Sequence, residues 1–88
     1  MTSNHSLSVG AIPAHGGADA TAITVSIPSG YIPLFPTPIG TSGGRVVASC
    51  YFGTTTATTV QVRAWVVNPY NDAASSDTVN VRVVWQKA

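Results

Sequence analysis

Hydrophobic and polar residues alternate most cleanly near the end of the chain. In residues 58–67, Val60, Val62, Ala64 and Val66 fall on one face, and Gln61, Arg63, Trp65 and Val67 on the other. In residues 78–86, Val79, Val81, Val83 and Trp85 share a face, and Asn80, Arg82, Val84 and Gln86 share the opposite one. Side chains alternate across a strand, so a period of two predicts two long strands, each with one apolar side. The connection between them, residues 68–77, is rich in turn formers. If the two strands pair antiparallel, Arg82 sits near Arg63 and Trp65, on the face away from the valines.

The rest of the chain alternates over shorter runs. Residues 21–27 place Ile23, Val25 and Ile27 against Ala22, Thr24 and Ser26. Residues 45–52 place Val46, Ala48, Cys50 and Phe52 against Val47, Ser49 and Tyr51. Both faces of that run are fairly apolar, which predicts a strand covered on both sides. Residues 6–12 predict a short first strand with Leu7 and Val9 on one face. The polar residues 1–5 before it read as a frayed terminus. Residues 13–19, punctuated by Pro13, Gly16 and Gly17, read as a loop. Residues 31–39 hold Pro33, Pro36 and Pro38, which lack the ladder N–H, so this is an edge piece. Its large residues, Tyr31, Ile32, Leu34 and Phe35, are expected to pack inward. No helical period appears anywhere. The pattern predicts an all-β fold, a small antiparallel β-sandwich of about six strands or a small barrel. Residues 1–19 form an N-terminal segment with the short strand and a loop, and residues 20–88 form the sandwich.

Composition changes the picture in one respect. Only 8% of the 88 residues are charged, and glutamate is absent, against roughly 25% charged in ordinary soluble domains. Cys50 is the only cysteine, so no disulfide within the chain can staple a small core. A weakly charged surface over a modest core points to a homo-oligomer. The net charge of +1 is too small for a phosphate backbone, so nucleic acid is not an expected partner. No apolar run is long enough to insert across a bilayer as a helix, and the N-terminus does not read as a secretory signal.

Candidate chemistry is sparse. Cys50 sits mid-strand among apolar residues and reads as a buried, unpaired thiol. His5 and His15 have no further ligands at metal spacing. Asp72 and Asp77 share one loop, where a weak calcium site with the carbonyls around Asn71 stands against plain loop solubility. No catalytic set, cofactor motif or metal motif can be assembled, so an enzyme is not expected. Trp65, beside Arg63 and with Arg82 expected nearby, reads as an oligomer interface or a sugar-stacking platform. The long connection 68–77 is the candidate ligand site. Tyr70 can stack on a sugar face, while Asn68, Asn71 and Asp72 supply donors and acceptors. In an oligomer this loop would face a neighbour's loop 40–44. The alternative is that Pro69 and Tyr70 pack the loop on its own sandwich.

Two stretches resemble a known group. The run Thr24-Val25-Ser26-Ile27-Pro28-Ser29-Gly30-Tyr31-Ile32-Pro33-Leu34 is similar to the strand followed by Pro-x-Gly-Tyr-x-Pro in small C-terminal head domains of bacteriophage tail fibres and related virion proteins. Thr59-Val60-Gln61-Val62-Arg63, the loop with Ala73-Ala74-Ser75-Ser76, and Thr78-Val79-Asn80-Val81-Arg82-Val83-Val84-Trp85 resemble the last hairpin of those heads. That hairpin is also similar to the H-type lectins, six-stranded sandwiches that trimerise and bind sugars between subunits. The resemblance spans residues 20–88. It implies a homotrimeric knob on a phage particle, extracellular after release, that contacts host cell-surface glycan and other virion proteins. Its alternative is a structural decoration or trimerisation protein without a ligand. The chain departs from the group at Phe35-Pro36-Thr37-Pro38 and through the long loop 68–77, so ligand identity does not carry over.

Overall fold

The computed structural model describes all 88 residues as seven antiparallel strands and no helix. They are β1 (Thr2–Val9), β2 (Gly17–Asp19), β3 (Ile23–Ser26), β4 (Tyr31–Thr41), β5 (Val47–Thr55), β6 (Thr59–Val67) and β7 (Asp77–Lys87). Two sheets stack as a sandwich. One is three-stranded, in the order β1-β7-β4. In the other, β6 is flanked by β5 on one edge and by β2 and β3 on the other. β2 and β3 run end to end along β6, Gly17 facing Val67 and Ser26 facing Thr59. They behave as one strand broken where the Thr21 amide leaves the ladder for Ser8 O, at 2.7 Å. The break accounts for seven strands where the alternation predicts about six.

The two long strands do not form the expected hairpin. β6 and β7 lie in different sheets. Each carries one complete apolar face, and those faces bury each other across the sandwich. Val60, Val62, Ala64, Val66, Val79, Val81 and Val83 are all fully buried, and Trp85 is nearly so. Pairing them side by side would have put both stripes on one sheet face, still needing a cover. Stacked sheets are about 10 Å apart, a gap the long connection can cross. Arg63 and Arg82 consequently sit on opposite outer surfaces, which corrects the expectation that they are neighbours.

Three further expectations are revised. Residues 1–5 are not frayed: β1 pairs with β7 from Thr2↔Val84 onward, and the Trp85 amide donates to Met1 O at 2.8 Å. The inward positions of β1 begin with Ser3 and His5, and those polar residues hid the period. In β4, Ile32, Leu34, Phe35 and Ile39 are exposed and do not anchor the core. Tyr31 and Pro33 take the inward positions, so Ile32 and Leu34 alternate outward, and the register shifts between Pro33 and Phe35 and between Pro38 and Gly40 leave Phe35 and Ile39 outside as well. β5 is an edge strand covered on one side only. Its Ala48, Cys50 and Phe52 face the core, while Val47 and Tyr51 stand exposed. The single chain exposes 4851 Å², close to the roughly 4,900 Å² expected for a protein of this mass.

The outer faces of the two sheets differ. On the three-stranded sheet, Asn4 faces Arg82, Ser6 faces Asn80 and Ser8 faces Thr78. Amides and hydroxyls make up the β1 and β7 part of that surface, while Ile32 and Phe35 of β4, in register with Gln86 and Val84, make its far edge apolar. On the other sheet, the outer face carries Trp65, Val67, Tyr51 and Val47.

Candidate functional site

The outer face of the β6 sheet is the chain's most chemically distinctive surface. Strand alternation turns Gln61, Arg63, Trp65 and Val67 outward because their neighbours form the core stripe. Trp65 lies between Ser49 on β5 and Asp19 on β2. Its ring packs over Gly17, where an added Cβ would fall 2.6 Å from Cζ2. Only a glycine admits the indole that close to the backbone. The ring is still 45% exposed, flanked by the exposed Val47 and Val67.

Polar groups surround the indole. Tyr51, paired with Arg63 in register, reaches across β6, and its hydroxyl donates to Asp19 Oδ1 at 3.3 Å. The Arg63 guanidinium lies 5.7 Å from the Tyr51 ring centre, within cation–π range. Arg63 Nε is covered and meets no acceptor. The only ion pair in the chain joins Arg45 and Asp72, which leaves Arg63 without a carboxylate. A planar aromatic surface, a carboxylate, a phenol and an unpaired guanidinium therefore share one flat face. Such a face can stack on a sugar ring or a planar apolar group and can hydrogen-bond at its rim. Of these residues the alternation singled out Trp65 and Arg63. By sequence pattern Tyr51 falls in a strand covered on both sides and Asp19 in a loop. No local signal joins them, since the Tyr51–Asp19 contact spans 32 positions.

The loop 68–77 is arranged differently from the expected ligand site. Asn68 is 1% exposed and is a structural residue. Its Nδ2 donates to Asp72 O at 2.8 Å and, more weakly, to Pro13 O and Ile12 O at 3.3 and 3.4 Å. Its Oδ1 accepts the Tyr70 amide at 3.1 Å. Burial thus corrects the assignment of Asn68 to a ligand surface. The other candidates face solvent but have partners in the chain. Asp72 pairs with Arg45, whose guanidinium also lies 5.0 Å from the Tyr70 ring centre. Asn71 Oδ1 is 2.7 Å from His15 Nε2. The loop 40–44 docks on this connection within the same chain: the Gly43 amide donates to Asp77 Oδ1 at 2.9 Å.

Cys50 is half-buried on the core side of β5, and burial pushes its thiol above the ordinary value. Ser3 Oγ accepts the Trp85 indole N–H at 2.8 Å and lies 2.8 Å from His5 Nε2. That hydroxyl satisfies the one polar atom of a buried tryptophan side chain. No three histidine, cysteine or carboxylate groups converge where they could hold a metal. No family model matches the chain, and no curated protein or solved structure matches it.

Proposed function

We propose that the chain is a non-catalytic recognition module of a bacteriophage virion that presents its Trp65 face to host cell-surface glycan, as a homotrimer. The observation that carries the recognition reading is the exposed indole held over Gly17 beside Asp19, Tyr51 and the unpaired Arg63. A solvated tryptophan of this size adds nothing to the core. It offers a rigid stacking surface with hydrogen-bonding groups at its edge, which is what a polyhydroxylated ring requires. The virion reading rests on the resemblance of residues 24–34 and 59–85 to phage head domains.

The trimer is assigned to β4. Ile32, Leu34, Phe35 and Ile39 are exposed along one edge strand, and residues 20–44 contain no charged side chain. A neutral apolar stripe on an edge is suited to contact with a second copy. Prolines at 33, 36 and 38 remove N–H groups from this strand, which favours side-chain packing over sheet extension. The same stripe supports the second reading, a structural virion protein that only oligomerises.

A glycan array probed with the wild type and with Trp65→Ala tests the first reading. The wild type is expected to bind a defined set of glycans. The variant, at the same oligomeric state, is expected to lose at least about tenfold in affinity, the loss of 1.4 kcal/mol or more typical of a central aromatic anchor. Unchanged binding by the variant removes the Trp65 face from recognition.

A further inference from the structure

A depression of about 700 Å³ lies where β1 and β4 end and β7 begins, with Thr21 reaching its rim from the junction of β2 and β3. Its size falls within the range of small-ligand sites, but its lining is unusual. Five hydroxyl residues, Ser8, Thr21, Ser42, Ser76 and Thr78, line it together with Asp77, and Val9 is the one hydrophobic residue. The sheet register sets the hydroxyls. Ser8 faces Thr78 across β1 and β7, and Ser42 donates its amide to Thr78 O at 3.0 Å.

Asp77 is held by one oxygen only. Its Oδ1 accepts the Gly43 amide at 2.9 Å and the Thr78 amide at 2.7 Å. Oδ2 makes no hydrogen bond within the chain. A Cβ on residue 43 would fall 2.7 Å from Oδ2, so glycine is what lets the loop close on the carboxylate. The result is an oriented acceptor in a depression lined by rotatable hydroxyl groups. Each hydroxyl can donate once and accept twice. With no cation in the lining, Asp77 disfavours anionic ligands.

We infer that this depression is a binding site for a neutral saccharide, with Asp77 Oδ2 accepting from a vicinal diol and the serine and threonine hydroxyls completing the shell. The rungs Ser6–Asn80 and Asn4–Arg82 continue the lane of donors and acceptors along the same face, so a second sugar unit has a surface to follow. The inference rests on this lining alone and is independent of the Trp65 reading.

The test is an amide-resolved NMR titration of the full chain with methyl α-glucoside, methyl α-mannoside and methyl α-galactoside. At least one is expected to shift the Gly43, Thr78 and Ser8 amides saturably, with a dissociation constant on the order of 10 mM, as suits an open polar site. Asp77→Asn, which preserves shape, is expected to weaken that binding at least tenfold. The double variant Ser8→Ala/Ser76→Ala, which leaves the Asp77 hydrogen bonds in place, is expected to weaken it at least threefold and covers the case in which Asp77→Asn does not fold. Trp65→Ala is expected to leave this titration unchanged. Absence of saturable shifts at these amides with all three glycosides overturns the inference, as does undiminished binding by folded Asp77→Asn or by the double variant. Shifts confined to the Trp65 indole overturn it while leaving the aromatic face intact.

Discussion

Asn68 separates a structural account of the long connection from a ligand-binding one. Asn68→Ala removes the donor to Asp72 O and the acceptor of the Tyr70 amide, bonds of 2.8 and 3.1 Å around a side chain 1% exposed. The two longer contacts, to Ile12 O and Pro13 O, contribute less. A buried polar group left without its partner costs about 1–3 kcal/mol. Two such groups near the surface put the loss at about 2–4 kcal/mol. A domain this size is stable by roughly 4–13 kcal/mol in all. Each kcal/mol lowers Tm by about 4–8 °C, so a loss of about 2–4 kcal/mol puts the melt of Asn68→Ala about 8–32 °C below the wild type. Asn71→Ala, on the solvent side of the same loop, is expected to stay within about 0.5 kcal/mol. Thermal melts followed by circular dichroism, with urea titrations for the free-energy difference, give both numbers. If Asn68→Ala melts within about 3 °C of the wild type, the Asn68 hydrogen bonds do not hold the loop.

Two more outcomes follow from the same geometry. Ser3→Ala leaves the Trp85 indole N–H without its acceptor and is expected to cost about 1–2 kcal/mol in a urea titration; no change would mean that residues 1–5 are frayed after all. Burial raises the Cys50 thiol above its ordinary value of 9.0, so thiol labelling should follow a pH profile displaced upward from that of an exposed cysteine, and stability should fall as pH rises past about 9, because the unfolded thiol loses its proton first. A labelling midpoint at or below that of an exposed thiol would contradict the half-buried position.

The sandwich was legible where apolar positions recur without interruption. Eight residues in β6 and β7 hold a strict period of two, and all eight are buried. Their pairing was not legible, because alternation is the same for strands side by side and strands face to face. What decides is the need of each stripe for a cover. β1 was partly concealed because Ser3 and His5 stand at inward positions, and the reason for Ser3 is an indole 82 positions away. In β4, Ile32 and Leu34 alternate outward against Tyr31 and Pro33, but Phe35 and Ile39 join the exposed stripe through two register shifts that no periodicity announces. In the candidate site, Trp65 and Arg63 declared themselves by lying opposite the valine stripe. Tyr51 and Asp19 join them only through the flanking of β6 by β5 and β2, a long-range arrangement. Asn68 looked like a loop residue by type and is a core polar residue by position.

The central claim, that Trp65 is a solvent-facing recognition residue, is tested most directly by acrylamide quenching of tryptophan fluorescence across a wide range of protein concentrations. Trp85 is 3% exposed and Trp65 is 45% exposed, so quenching reports chiefly on Trp65. Strong quenching is expected at every concentration, trimeric or not, and is expected to fall only when a glycan selected on the array is added. Quenching that weakens as the protein is concentrated, with no glycan present, would show Trp65 covered by a second copy and would contradict the assignment of this face to recognition.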